Sequence, residues 1–292
     1  FTLDKVVAFQ IFLANPPRPI KLTLKQVRLD KGINIPTVPL PFVDRLGQYM
    51  HDNWEGKTKS EEEMIKQARR EFEKIEKKGE VEAKEFDKYG GWKKGEKLDA
   101  TGWFRTEQIN GYWWLVTPEG NPFLSIGVDC VGIHDYTFID GRDGWFEWLP
   151  DKNDPVYKSC FSHSNQHWFT HIIPEGTLFC FYRANLIKQF GDDFEEKWSK
   201  LAVFRLRKWG FNTIGAWSSV HLFKDKKIPF IIFIGLHGAP RIKNAPGYWG
   251  PIYDVFDPNF EELVNKRISD AVAPYKDNNY CIGYFVDNEL SW

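Results

Sequence analysis

The length, charge and composition of the chain exclude several classes of protein. Its 292 residues are enough for one large domain or two smaller ones, and 16% aromatic residues among 27% charged ones exclude disorder over the chain as a whole. The formal net charge of −1 provides no field that would draw the protein onto nucleic acid or an anionic membrane. No apolar stretch reaches the roughly 18 residues of a membrane-spanning helix.

The thirteen Trp and eleven Tyr residues are a large number of flat, amphipathic rings. Such rings fill a core, or they line a binding cleft in which they lie against the apolar faces of sugars. The composition leaves both interpretations open.

The four cysteines are too few and too scattered for a disulfide framework or a zinc ribbon. Cys130 and Cys281 lie in strand-like runs, which predicts buried thiols. Cys160 and Cys180 flank a loop and could pair in an oxidising compartment.

Residues 1–35 are predicted to be the C-terminal strands of a β-sandwich domain of the jelly-roll, carbohydrate-binding-like kind. The segment contains the apolar run VVAFQIFLAN and the largely alternating run IKLTLKQVRLD, with prolines between them. Because two or three strands do not form a sheet that is stable alone, the remaining strands of the sandwich are expected to precede Phe1.

Residues 36–100 are predicted to be a linker that contains one charged helix. Prolines space its first part, which is typical of an extended path along a surface. Ser60 and Glu63 have the spacing of a capping box, and one apolar stripe follows at helical intervals. The stripe consists of Met64, Ala68, Phe72 and Ile75. The helix is therefore expected to pack on a neighbour by this face.

Residues 101–292 alternate between strand-like and helix-like segments, which predicts an α/β fold with a parallel sheet. The Asn110-Gly111 pair lies between two strand-like runs and predicts a β-hairpin. The apolar run from Phe123 to Val131 predicts a strand buried on both faces. Residues 132–180 show no clear period, so we expect a functional segment there.

Two helices and three further strands complete this region. Asp192 or Asp193 is expected to cap the first helix, and Gly210 to end it. The buried side of this helix is predicted to contain Phe194, Trp198, Leu201, Ala202 and Trp209. Asp257 and Pro258 are predicted to open the second helix. The strands are predicted in the runs FNTIGAWS, IPFIIFIGLHG and YCIGYFVDNE.

Each predicted strand of the parallel sheet ends in polar or aromatic side chains. In parallel β/α folds the chemistry collects at the C-terminal ends of the strands, which lie at one edge of the sheet. We therefore expect one shared site at this edge. Its residues are Asp129, Trp217, Ser218, His237, Asp287, Asn288 and Glu289.

Glu289 is the strongest catalytic candidate among these residues. A carboxyl at the end of a buried strand is partly desolvated, and desolvation raises the pKa of a carboxyl and suits it to proton donation. The amide of Asn288 can hold a substrate hydroxyl. Glycoside hydrolysis needs a second carboxylate, roughly 5–5.5 Å away for retention or 6.5–9.5 Å for inversion. Asp129 and Asp287 are candidates by position only, since either can simply bind neighbouring backbone.

Four separated segments between residues 100 and 292 carry a family resemblance. They are GYWWLVTPEGNPFLSIGVDCVG, GWFEWLP, LRKWGFNTIGAWS and GYFVDNELSW. Together they resemble the β-agarases of glycoside hydrolase family 50, a clan A family in which Asn-Glu ends the fourth strand of a (β/α)8 TIM barrel. Those enzymes have a β-sandwich ahead of the barrel. The resemblance implies that this chain holds the N-terminal half of the barrel, preceded by the end of the sandwich.

The resemblance also implies residue roles. Glu289 would be the general acid/base, and Asn288 would hold the sugar 2-hydroxyl. The family's nucleophile is a Glu at the end of the seventh strand, which nothing here matches, so the missing half of the barrel would be required. The protein would be a retaining hydrolase of β-galactosidic bonds in a galactan such as agarose. The further sugar-binding residues are expected to be Asp129, His134, Trp217, His237, Trp249 and Asp287.

The expected partner is a polysaccharide or oligosaccharide, and no cofactor, metal, nucleic acid or membrane is predicted. A secreted or periplasmic location is expected, although no signal peptide is visible in these residues. Homo-oligomerisation stays open. So do three alternatives: a non-catalytic carbohydrate-binding protein, a clan A hydrolase of another β-glycan, and an inactive fragment or split barrel.

Three histidines at regular intervals raise the question of a metal site. His163, His167 and His171 recur at four-residue intervals, and on a helix three imidazoles on one face can bind zinc. The surrounding residues are poor helix formers, which favours loop histidines near a sugar cleft.

Overall fold

A computed structural model gives the fold. It describes residues 38–78, 84–164, 175–224, 226–245 and 251–290, with four isolated positions between residues 20 and 25. The chain divides into two compact units, Phe1–Leu40 and Pro41–Trp292. The predicted sandwich strands of residues 1–35 lie outside the described residues, apart from the isolated positions, and stay a prediction. All elements below belong to the second unit.

Helix α1 spans Glu61–Lys78 and confirms the predicted helix. Ser60 caps it, because the Glu63 N–H donates to the Ser60 hydroxyl (N–Oγ 3.2 Å). The Glu63 carboxylate in turn accepts the N–H of Lys59 (2.8 Å), one residue earlier than in an ideal capping box. The first two residues of the predicted apolar stripe are buried.

The Asn110-Gly111 pair forms the predicted hairpin. Strands β1 (Arg105–Ile109) and β2 (Tyr112–Val116) pair antiparallel across it. Asn110 and Gly111 have φ angles of 51° and 81°, as a two-residue type I′ turn requires. Strand β3 (Pro122–Phe123) extends this sheet beside β2.

The apolar run from Phe123 to Val131 is not one buried strand, so that prediction is wrong. Strand β3 ends at Phe123, and a separate short strand, β4, spans Gly127–Val128. Leu124, between them, is 66% exposed. The break arises because β3 pairs with β2 whereas β4 belongs to a different, parallel sheet, and the chain passes from one sheet to the other here.

Residues 132–180 contain a small antiparallel sheet. Its strands are β5 (Thr137–Phe138), β6 (Phe161–Ser164) and β7 (Gly176–Phe179), in the order β5–β7–β6. A small core packs against it and includes Ile139, Phe146, Cys160, Phe179 and Ala184. The strands are only two to four residues long, which explains why the sequence shows no period there. Residues 165–174 of this segment lie outside the described residues.

Helices α2 (Phe181–Phe190) and α3 (Phe194–Lys208) pack against α1 and against each other. The sequence does not predict α2, because its apolar residues are spread around the helix instead of forming one stripe. Helix α3 departs from the prediction only at its ends. Asp193 precedes it without a side-chain capping bond, and Trp209, predicted to be buried, is 64% exposed because it lies beyond the last helical residue.

The parallel sheet contains four strands in the order in which they occur along the chain. They are β4, β8 (Thr213–Ile214), β9 (Phe230–Ile234) and β10 (Cys281–Val286). Helices α2 and α3 precede β8, and helix α4 (Phe260–Val272) precedes β10. The predicted α/β architecture with a parallel sheet is confirmed, while the half-barrel stays a prediction. None of the described helices is both long and apolar enough to cross a bilayer.

The main core lies on the helix side of the parallel sheet. Alternate residues of β9, namely Phe230, Ile232 and Ile234, are buried there with residues of α3 and α4. The intervening Ile231 and Phe233 are only half-buried on the opposite face. The opposite face is thus the less covered one among the described residues.

Strand β10 is more exposed than a buried final strand would be, which corrects the prediction. Tyr284, Phe285 and Val286 are 46%, 40% and 53% exposed. Among the described residues β10 pairs with β9 alone, so its other edge is open.

The four cysteines are free thiols. Cys160 and Cys180 are fully buried, and burial raises the pKa of the Cys160 thiol to about 11. Cys281 is half-buried. Cys130, predicted to be buried, is exposed because strand β4 ends two residues before it.

Candidate active site

The C-terminal ends of the parallel strands meet at one edge and are joined by hydrogen bonds. After β4, the Asp129 carboxylate accepts the N–H of Ala216 (Oδ1–N 2.8 Å). The Cys130 N–H donates to the carbonyl of the same Ala216 (2.9 Å). After β10, the Asp287 N–H donates to the carbonyl of Ile234, the last residue of β9 (2.9 Å). The predicted strand-end residues therefore share one edge of the sheet.

Three aromatic rings from three strands form a cluster beside this edge. Trp217 follows β8, and its ring centroid lies 5.0 Å from that of Phe233 and 5.7 Å from that of Phe285. The Phe233 and Phe285 centroids are 6.0 Å apart. Trp217 is 44% exposed, so the cluster presents an open ring of the kind that binds the apolar face of a sugar.

The backbone at these strand ends adopts an unusual conformation. Cys130, Trp217, Asp287 and Glu289 have φ angles of 57°, 56°, 57° and 47°, in the left-handed region that residues with a Cβ atom rarely adopt. They are four of the seven described non-glycine residues with positive φ. Such strain concentrates at functional sites, where the surrounding structure holds it in place.

Asp129 is fixed by the backbone of the neighbouring strand. Its carboxylate lies over Gly215, where a Cβ atom would stand 1.8 Å from Oδ1. The absence of a side chain at Gly215 is therefore what lets the carboxylate reach the N–H of Ala216. Asp129 thus joins the ends of β4 and β8.

Asp287 is bound through both of its carboxylate oxygens. Oδ1 accepts the N–H of Asn288 (2.9 Å), and Oδ2 accepts the hydroxyl of Tyr253. Burial, together with the Asp287 carboxylate, raises the pKa of Tyr253 to about 12, so the hydroxyl stays protonated at neutral pH. Arg241 donates to the hydroxyl oxygen of Tyr253 (Nη2–Oη 3.3 Å) and lies over its ring, 4.5 Å from the centroid.

Asn288 and Glu289 follow at the tip of the strand. Asn288 is half-buried and Glu289 is exposed. The burial expected around the Glu289 carboxyl is not present in the described residues, because the edge of β10 is open. The tip of the strand thus offers a carboxyl, a group that can donate or accept a proton, next to an amide in the chain.

The two predicted histidines lie on the loops that follow β9 and β4. His237 is exposed, and its ring lies over Gly235, where a Cβ atom would stand 2.8 Å from Nε2. His134 is exposed and stacks on Tyr136, with ring centroids 6.2 Å apart. Partial desolvation and the positive charge of Arg183 lower the pKa of His134, which favours a neutral imidazole.

Three predicted residues cannot be placed. Trp249, His167 and His171 lie outside the described residues, while His163 belongs to β6. Within the described part of the chain, no group of three or more His, Cys, Asp or Glu side chains could hold a metal ion.

Sequence reasoning misses three residues of this site, namely Phe233, Phe285 and Tyr253. The two phenylalanines are the penultimate residues of β9 and β10, on the face opposite the main core. The alternation of faces along a strand would have found them, since the penultimate residue lies on the face opposite that of the last residue. Tyr253 lies far from the strand ends along the chain, and no local pattern singles it out.

The chain matches no family model. Among curated proteins it is 32% identical over 314 residues to Beta-agarase B of Vibrio sp. (strain JT0107), which covers 99% of this chain and 32% of that protein. It is 30% identical over 186 residues to Beta-agarase A of the same strain, which covers 61% of this chain and 18% of that protein. The chain thus spans at most about a third of the length of these curated relatives.

Solved structures give the same result in three dimensions. An agarase, AgWH50C, is 30% identical with a TM-score of 0.76, covering 87% of this chain and 39% of that one. An exo-β-agarase is 28% identical with a TM-score of 0.75, covering 86% and 40%. PfGH50B is 28% identical with a TM-score of 0.78, covering 86% and 38%. Over nearly its whole length this chain is therefore similar, in sequence and in fold, to the β-agarases of glycoside hydrolase family 50.

Proposed function

We propose that the protein to which this chain belongs is a retaining glycoside hydrolase that cleaves β-galactosidic bonds in a galactan such as agarose. The similarity to β-agarases supports a glycoside hydrolase, and the names of these relatives indicate agarose as the polymer. The observation that carries the proposal is the strand end Asp287–Glu289, which follows β10, the strand whose Phe285 belongs to the open aromatic cluster. Aromatic rings and hydrogen-bonding groups suit an uncharged sugar polymer.

Glu289 is proposed as the general acid/base. In the first step its carboxylic acid protonates the glycosidic oxygen as the bond to the anomeric carbon breaks and the nucleophile carboxylate bonds to that carbon. In the second step the Glu289 carboxylate takes a proton from water, whose oxygen displaces the enzyme carboxylate. Asn288 holds the sugar 2-hydroxyl through a hydrogen bond that strengthens in the transition state.

The nucleophile is proposed to be a glutamate outside these 292 residues. Asp129 and Asp287 already accept hydrogen bonds from Ala216 and Tyr253, which suits them to hold the site together. The solved relatives are more than twice as long as the part that this chain matches, so the rest of the protein has room to supply the second carboxylate.

The proposed fold is the N-terminal half of a (β/α)8 TIM barrel, in residues 101–292. The linker of residues 36–100 and the sandwich strands of residues 1–35 precede it in this proposal. Four parallel strands in chain order, with a site at their C-terminal ends, support the half-barrel. The open edge of β10 is where the next barrel strand would pair.

Sugar contacts and location complete the proposal. Trp217 is proposed as the platform for one galactose ring, since it is the most exposed ring of the cluster. The other proposed contacts are Asp129, His134, His237, Trp249 and Asp287. A galactan polymer is too large to enter a cell intact, which supports a secreted or periplasmic enzyme.

Glu289→Gln in the full-length protein tests the catalytic assignment. Loss of the proton donor is expected to lower kcat on agarose by about 10²–10⁴-fold. A galactan oligosaccharide with a dinitrophenyl leaving group, which needs no protonation, should lose far less in its first step. Glu261→Gln, at an exposed position of α4, is the matched control and should keep wild-type turnover. Wild-type turnover by Glu289→Gln on every galactan tested would refute the assignment.

The stereochemistry of the wild-type reaction tests the retaining mechanism and the enzyme class together. The first anomer released, observed by NMR, is expected to be β, as in the substrate. An α anomer would show inversion. A protein that retains galactan but releases no sugar would instead be a carbohydrate-binding protein.

A further inference from the structure

We infer that Tyr253 is a positioning residue. It acts through Asp287 to hold the strand-end corner, Asp287–Glu289, from which Glu289 reaches the substrate. The inference rests on the proposed role of Glu289. Tyr253 lies on the segment between β9 and α4, more than thirty residues before the corner, and only the fold brings the two together.

Tyr253 is buried and contacts Asp287 directly. Tyr253 is 6% exposed, and its hydroxyl donates to Oδ2 of Asp287. The other oxygen of the same carboxylate accepts the N–H of Asn288 (2.9 Å). One carboxylate therefore connects the buried tyrosine to the backbone of the residue that precedes Glu289.

The backbone conformation of the corner needs support from other parts of the fold. Asp287 and Glu289 both have left-handed φ angles, 57° and 47°, on either side of Asn288. This conformation is unfavourable for residues with a Cβ atom, so bonds from elsewhere must hold it. The described bonds to this corner come from Ile234, whose carbonyl accepts the Asp287 N–H, and from Tyr253.

Tyr253 is itself held in place by Arg241 and by the backbone beside it. Arg241 and Tyr253 form an antiparallel bridge, and the arginine lies over the tyrosine ring (4.5 Å) and donates to its hydroxyl (3.3 Å). The N–H of Ile242 donates to the carbonyl of Ile252 (3.0 Å), which joins the same two backbone segments beside the bridge. With its pKa raised to about 12, the hydroxyl of Tyr253 remains a donor throughout the range in which a carboxyl-based enzyme works.

The arrangement predicts a defect in turnover rather than in substrate binding. Without the hydroxyl, Asp287 loses one of its two anchors and the corner relaxes, which moves Glu289 relative to the glycosidic oxygen. Misplacement of a catalytic group by about 1 Å can cost on the order of 10²-fold. Apart from Asp287 and Asn288, the proposed sugar contacts lie outside this corner, so most of the binding to the sugar chain should be kept.

Tyr253→Phe in the full-length protein is the direct test. We expect kcat on agarose to fall by about tenfold to a hundredfold, with KM changed by less than about twofold. The loss should shrink on the dinitrophenyl substrate, as it does for Glu289→Gln, because that substrate bypasses proton donation. Tyr275→Phe, which removes a hydroxyl from a ring packed on Phe223 and Phe230, is the matched control and should leave kcat unchanged.

Asp287→Asn provides the second variant, and it keeps the test decisive if Tyr253→Phe fails to fold. The double variant Tyr253→Phe/Asp287→Asn should be no slower than the slower single variant, because both changes break one connection. Additive losses, or an equal loss on both substrates, would overturn the inference. So would a Tyr253→Phe enzyme with wild-type kcat. The Glu289→Gln variant distinguishes this failure from failure of the proposed function. If Glu289→Gln is inactive while Tyr253→Phe has wild-type kcat, only the inference about Tyr253 fails. If Glu289→Gln is active, the proposed function fails whatever Tyr253→Phe does.

Discussion

At the scale of single residues, the carboxyl groups of the strand ends divide into two kinds. Asp129 and Asp287 each bind the backbone of a residue at the same edge of the sheet, Ala216 and Asn288. Glu289 is exposed beyond them. The sequence ranks Glu289 first but leaves Asp129 and Asp287 as candidates by position, since each of the three follows an apolar run. The distinction lies in long-range hydrogen bonds, which no local pattern reports.

Gly215 provides a residue-scale prediction. In Gly215→Ala the new Cβ atom would stand 1.8 Å from the Asp129 carboxylate and would force it away from the N–H of Ala216. We expect a loss of about 2 kcal/mol in the free energy of unfolding and lower turnover in the full-length protein. Urea denaturation and agarose hydrolysis measure the two effects.

The control for this change is Gly283→Ala on β10. A Cβ atom at Gly283 would meet no heavy atom within 4 Å, so stability should stay close to that of the wild type. Equal urea midpoints for the Gly215 and Gly283 variants would contradict the close contact seen at Asp129.

At the scale of elements, helix α1 is attached to α3 by one bidentate ion pair. Arg205 donates from Nε and Nη2 to the two carboxylate oxygens of Glu71, with an Nε–Oε1 distance of 2.9 Å. Both side chains are 35% exposed, so water weakens the pair. Phe72 and Phe190 add an apolar contact between α1 and α2, with ring centroids 5.9 Å apart.

Glu71→Gln is expected to lower the free energy of unfolding by about 1 kcal/mol at pH 7. The hydrogen bonds from Arg205 lower the pKa of Glu71 in the folded state. A carboxyl with a lowered folded-state pKa stabilises the protein above its unfolded pKa, and this stabilisation is lost as the pH falls through the folded pKa. The difference between wild type and variant should therefore be full at pH 7 and should shrink below pH 4.5, the ordinary value for Glu71. Urea unfolding at pH 7 and pH 3.5 checks it; a difference that grows in acid would contradict the ion pair.

The elements show which patterns a sequence can reveal. Helix α1 and the Asn110-Gly111 hairpin are predicted correctly because their signals are local: a cap with one apolar stripe, and two residues that accept positive φ. Helix α2 lacks a stripe, and the break between β3 and β4 depends on which partner strand each segment meets. Both failures concern tertiary pairing, which the residues of a segment do not encode alone.

At the scale of the whole molecule, the edge of β10 is proposed to pair with the next barrel strand, and it is a liability when these residues are expressed alone. Tyr284, Phe285 and Val286 are consecutive apolar residues exposed on a strand that pairs with β9 alone among the described residues. An exposed, apolar strand edge is a template for pairing with another chain. The alternation of β and α segments predicts the order of this sheet, but not how much of each strand is covered.

Residues 41–292 expressed alone should therefore self-associate. We expect the sedimentation coefficient to rise with protein concentration, and Val286→Lys to reduce that rise because a charge on an edge strand opposes pairing. Val156→Lys, at an equally exposed position outside the parallel sheet, is the control and should change little. A monomer at every concentration would show that the edge is harmless.

The left-handed residues at the strand ends also bear on the order in which the molecule folds. In an unfolded chain Cys130, Trp217, Asp287 and Glu289 avoid this conformation, at a cost of roughly 1–2 kcal/mol each. The bonds that hold it, such as the one from Asp287 to Ile234, require β9 and β10 to be paired already. We therefore expect the sheet to form first, and the corner that carries Glu289 to be among the last parts of the protein to reach its native conformation.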